Sequence, residues 1–140
     1  MVKIEINTVE KPMKKQEEDI LKWFCLELGL SSKDDEEGIE TEILKKFIIA
    51  AYKNEGITSL KLKEMLNYPL ARSTIIYHLN RLINAGLIVK KGRYYFLRGM
   101  IMSRTIEELE YDLDREFKRM IEAAELLDKI MSKKIKSKNL

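Results

Sequence analysis

A mainly α-helical protein with one small β-hairpin is the fold class that this sequence predicts, and three observations predict it. Apolar residues recur at i, i+3, i+4 and i+7 through most of the chain, the spacing of helices with one buried face. Two adjacent runs, Leu87 to Lys91 and Arg93 to Leu97, are β-rich and separated by Gly92, so they are expected to pair as a tight hairpin. Beyond Met102 an apolar stripe continues at nearly heptad spacing, which predicts a helix of about 30 residues. At 140 residues the chain suffices for one compact core with a helical appendage.

Val2 to Ile6 alternates apolar and charged residues like a short strand, and Pro12 sits where a helix can begin. Ile20, Leu21, Phe24 and Leu28 share one helical face, and Gly29 suits the C-terminal cap, giving a helix of about 16 residues. Cys25, set among Trp23, Phe24 and Leu26, is read as a small core residue. Ser31 to Gly38 reads as an acidic solvent loop; its carboxylates are consecutive instead of alternating, so it does not resemble a calcium loop. From Thr41 the pattern is helical again, with Leu44, Phe47, Ile48 and Ala51 inward and an end near Asn54 and Gly56. Ile57 and Thr58 form an extended link, and Ser59 is expected to cap a second helix to about Leu66. Pro69 stops that helix, and a third runs from about Arg72 to Ala85 with Ile75, Leu79 and Leu82 inward and Gly86 at its end.

Thr105 and Glu108 have the spacing of a capping box for the last helix. Its stripe is Ile106, Leu109, Leu113, Phe117, Met120, Ala124, Leu127 and Met131, widened by Ile121 and Ile130. Such a face packs on the N-terminal helix, on a second copy, or on both. The organisation expected is therefore 1–38 as an N-terminal extension with the acidic loop, 39–100 as the core domain, and 101–140 as the C-terminal helix.

Charge is distributed unevenly. Residues 69–104 contain seven basic residues (Arg72, Arg81, Lys90, Lys91, Arg93, Arg98, Arg104) and no Asp or Glu, in a chain with 23 acids. A segment so cleared of carboxylates calls for a polyanionic partner. One cysteine and one histidine exclude a disulfide framework and a multi-Cys/His zinc site, and leave no nucleophile and base pair, so the chain is not expected to be an enzyme or to need a cofactor. No apolar run reaches membrane-spanning length, and the N-terminus lacks an export signal, so a cytoplasmic location is expected.

Helix, link, helix, turn, helix and hairpin is the order of a winged helix-turn-helix, whose third helix enters the major groove. Arg72, Ser73, Thr74, Tyr77, His78 and Arg81 are expected to face outward from that helix, able to bond phosphates and base edges. Lys90, Lys91 and Arg93 at the hairpin tip are expected to supply charge with little stacking. His78 is read either as a packing residue or as a phosphate contact, and Tyr77 either as a groove residue or as packing against the wing.

The run from Arg72 to Ile88, with the pattern Ser-Thr-x-x-x-His-Leu-x-x-Leu-x-x-Ala-Gly-Leu, resembles the recognition helix and wing entry of the ArsR-like winged-helix regulators. Residues 98–131 also look like the C-terminal helix of archaeal members. The resemblance implies that Ser73, Thr74, Tyr77 and His78 face the groove and that Lys90, Lys91 and Arg93 form the wing. The Asn67-Tyr68-Pro69 turn is longer than the family's, and the Cys-x-Cys pair and His-carboxylate cluster of its metal sensors are absent. The expectation is a homodimeric regulator that binds double-stranded DNA at an inverted-repeat operator, paired through Leu109, Leu113, Phe117, Met120 and Leu127. The alternative is a winged helix serving as a protein interaction module. The sequence designates no effector ligand.

Overall fold

The computed structural model describes residues 5–11, 16–31, 38–66 and 69–137. In chain order the elements are α1 (Glu17–Glu27), α2 (Ile39–Tyr52), β1 (Ile57–Thr58), α3 (Ser59–Met65), α4 (Arg72–Asn84), β2 (Ile88–Lys91), β3 (Tyr94–Leu97) and α5 (Met102–Lys136). The described residues are thus mainly helical, with one small antiparallel sheet ordered β1-β3-β2. The chain divides into two compact units, Met1–Ile106 and Glu107–Leu140.

The core of the first unit is made by the positions that the helical spacing selects. Leu21 and Cys25 of α1, Ile43, Leu44 and Phe47 of α2, Leu62 of α3, and Ile75, Leu79 and Leu82 of α4 are all buried, joined by Ile88 and Leu97 of the hairpin. Each such side chain contributes roughly 1.5 to 3 kcal/mol through removal from water. In the sheet, Ile88 pairs with Leu97, Lys90 with Tyr95 and Lys91 with Tyr94. The period of two turns Tyr95 and Leu97 inward and leaves Tyr94 in solvent. Gly92, with φ of 63°, makes the hairpin turn where a side chain would be strained.

Several elements differ from the sequence reading. The link Ile57–Thr58 is a third strand, pairing Ile57 with Tyr95 and Thr58 with Tyr94. Its approach requires Gly56, where a Cβ would lie 2.6 Å from the Phe96 ring. Thr58, not Ser59, caps α3, its Oγ1 accepting from the Lys61 N–H at 3.1 Å. Helix α2 begins at Ile39, two residues ahead of Thr41. Helix α1 has 11 residues, shorter than the expected span. The expected strand does not include Glu5 or Ile6, and its residues 2–4, like Pro12, the acidic run 32–37 and Asn67-Tyr68, lie outside the described residues. The first unit takes in α1 together with the hairpin, whereas the sequence reading set 1–38 apart as an extension.

Polar contacts secure α1 within that unit. The Trp23 Nε1–H donates to the Val9 carbonyl at 3.1 Å, and the Val9 N–H donates to Glu27 Oε2 at 3.0 Å. Lys45 Nζ meets Glu18 at 2.6 Å and Glu17 at 3.1 Å; hydrogen bonds to Glu18 and then Glu17 raise the pKa of this ammonium.

Thr105 does not cap α5, which starts three residues earlier. It is fully buried in the first turn, its Oγ1 donating to the Ile101 carbonyl and accepting from the Gly99 N–H, both at 2.9 Å. At Gly99 a Cβ would lie 2.5 Å from the Thr105 backbone nitrogen, so only glycine fits. Replacing Thr105 by Val keeps the shape but strands the Gly99 N–H. Chemical denaturation is expected to show a loss of about 1 to 3 kcal/mol, and an unchanged midpoint would remove this role.

Candidate nucleic-acid interface

Helix α4 offers two different faces. Its first turn contains Arg72, Ser73 and Thr74, no acid, and Ala71 as an N-cap without a capping side chain. Arg72, Ser73 and Tyr77 are exposed and Thr74 is half-buried. Backbone N–H groups at a helix start carry partial positive charge, so cations and hydroxyls there form a surface suited to an anion. Beside it a cleft of about 210 Å³ is lined by Ser59, Leu60, Lys63, Arg72 and Ile75, which brings cations of α3 and α4 together. Ser59 and Lys63 had not been singled out in the sequence, because α3 and α4 become neighbours only on folding.

His78 and Arg81 do not share that outer face. His78 is 9% exposed, and its Nδ1–H donates to the Glu40 carboxylate, 2.9 Å from Oε1 and 2.8 Å from Oε2. Arg81 Nη1 donates to the same carboxylate, while its Nη2 donates to the Gly29 carbonyl at 3.1 Å. Glu40 is 2% exposed. One carboxylate on the first turn of α2 therefore takes two donors from α4 spaced i, i+3, and Arg81 carries the connection on to the turn after α1. A buried carboxylate demands such partners, because removing a charge from water without them costs several kcal/mol. This network corrects the outward placement of His78 and Arg81. A signal for His78 was present: with Ile75, Leu79 and Leu82 it completes the i, i+3, i+4, i+7 pattern of the buried stripe. Glu40 itself carried no signal, since its partners lie 38 and 41 residues away.

Tyr77 remains on the surface, its ring 5.2 Å from that of His78 and 5.8 Å from the Arg81 guanidinium. At the hairpin, Lys90, Lys91 and Arg93 are all exposed. Each lies over an aromatic ring of β3: Lys90 over Tyr95 at 5.6 Å, Lys91 over Phe96 at 5.7 Å and Arg93 over Tyr94 at 5.5 Å. The tip is thus not purely ionic as the sequence suggested, because the 42% exposed Tyr94 stands next to it. Such pairs hold the cations outward along the strand and add a stacking surface.

In the second unit, Phe117, Met120 and Leu127 are exposed, as are Ile121, Leu126, Ile130, Met131 and Ile135. Leu113 is half-buried. Leu109 is 4% exposed and so adds no surface to that face. Among the described residues no cluster of three or more His, Cys, Asp or Glu is placed to hold a metal ion, and no helix is long and apolar enough to cross a membrane. No family model, curated protein or solved structure matches the chain.

Proposed function

We propose that the chain is a sequence-specific, double-stranded DNA-binding regulator of the winged helix-turn-helix kind, acting as a homodimer. The observation that carries this reading is the exposure of Arg72, Ser73, Tyr77, Lys90, Lys91 and Arg93 within a segment that holds no carboxylate. The helix-hairpin order supports the division of labour: α4 enters the major groove by its N-terminal half, and the β2-β3 hairpin rests on neighbouring phosphates. His78 and Arg81 contribute by holding α4, not by touching DNA. A two-fold pair of such units reads an inverted repeat whose half-sites lie about one duplex turn apart, roughly 34 to 36 Å.

The test is titration of random and selected duplexes with the native chain and a Lys90→Glu/Lys91→Glu variant. The variant is expected to lose affinity about equally on both, by roughly tenfold or more per reversed contact, because phosphate contacts carry no sequence information. A loss confined to the selected duplex would make the wing a base reader. No binding by the native chain at low salt would turn the reading toward a protein interaction module.

A further inference from the structure

The second unit presents an amphipathic helix whose apolar side has no partner within it, and whose charge is divided along its length. Residues 107–116 carry six acids and one base, whereas residues 128–137 carry four bases and one acid. We infer that this face pairs with the same face of a second copy, and that the two helices run antiparallel about a two-fold axis beside Glu122. The inference rests on the homodimer reading and specifies its direction and register.

The seam positions at alternating steps of three and four are Glu110, Leu113, Phe117, Met120, Ala124, Leu127, Met131 and Lys134. In an antiparallel pair, layers join positions equidistant from the axis. Leu113 then meets Met131 of the second copy, Phe117 meets Leu127, and Met120 meets Ala124. The outermost layers join Glu110 to Lys134, opposite charges at both ends of the apolar seam. A parallel pair would instead oppose Glu110 to Glu110 and Lys134 to Lys134 in those layers. It would also set Phe117 on Phe117 and Ala124 on Ala124, a bulge and a gap, whereas the antiparallel register matches large with small. The acidic segment then lies along the basic segment of the other copy, and Ile121 packs against itself at the axis. One flank opposes Asp114 to Asp128; both are exposed to solvent, where the repulsion is screened.

Disulfide trapping in the full chain decides the direction, with Cys25, fully buried, left in place. Three variants are oxidised: Glu110→Cys, Lys134→Cys and the double variant. On one helix the two positions are about 36 Å apart at 1.5 Å per residue, so any bridge between them joins two chains. Covalent dimer is expected from the double variant alone. Covalent dimer from either single variant would establish a parallel pair and overturn the inference. A chain that sediments as a dimer yet cross-links in no variant would remove the seam from this face. Sedimentation of the native chain as a monomer at tens of micromolar would overturn the homodimer reading itself. An independent measurement uses Glu110→Lys and Lys134→Glu. Each single variant is expected to weaken the dimer about tenfold and the double variant to restore it, because only the antiparallel pair remakes the opposite charges. Equal dimerisation by all four proteins would contradict the register.

Discussion

Raising salt from about 50 to about 200 mM is expected to weaken duplex binding by about ten-thousandfold, a slope of log K on log salt near −7. The magnitude follows from counting the cations that the fold leaves available. Of the seven basic residues between 69 and 104, Arg81 is engaged by the Glu40 carboxylate and the Gly29 carbonyl, whereas Arg72, Lys90, Lys91 and Arg93 are exposed on α4 and the hairpin. Four phosphates per protomer make eight per dimer, and each releases about 0.9 counterion on binding. Fluorescence anisotropy of a labelled duplex at several salt concentrations measures the slope. A value near −2 would mean that the hairpin does not reach the backbone, and a flat response would remove the electrostatic basis of the proposal.

Replacing Glu40 by Ala is expected to cost about 2 to 4 kcal/mol of folding stability, lowering the melting temperature of the first unit by roughly 10 to 20 °C. The carboxylate is the shared acceptor for His78 Nδ1 and Arg81 Nη1, and its loss leaves the buried imidazole without that partner. The figure is held toward the low end of such losses because the Arg81 side chain is 33% exposed, so water takes up part of its demand. Exposed Arg72 is the contrasting case: Arg72→Ala is expected to change stability by less than about 0.5 kcal/mol. Its DNA affinity is expected to fall by about 1 to 3 kcal/mol if the guanidinium reads a base. Thermal unfolding followed by circular dichroism separates the two residues. A melting temperature for Glu40→Ala within a degree or two of the native chain would show that packing alone orients α4.

Much of the fold is legible because helical and strand periodicities are local properties. The boundaries of α4 and the hairpin follow from Pro69, Gly86 and Gly92, residues whose backbone limits act wherever they occur. The start of α5 was less legible. Thr105 and Glu108 have the spacing of a cap, yet Thr105 is buried inside the first turn because Gly99 comes close enough to donate to it.

For the candidate site, what the sequence by itself determined is where cationic charge concentrates, since clearing 36 residues of carboxylates is a matter of composition. It also determined that α5 has an apolar side longer than one turn of contacts can cover, since a repeat of three and four places residues on one face in any helix. Tertiary structure alone decided which of those cations are available. His78 and Arg81 look outward in a list of polar residues, but a carboxylate brought from 38 and 41 positions away draws both donors inward. Tertiary structure likewise decided that Ile57–Thr58 is a strand, because a two-residue segment acquires that role only from the ladder partners Tyr95 and Tyr94. In each case the deciding partner is remote in sequence, and a buried charge or an edge backbone group takes the partner that folding brings within hydrogen-bond reach.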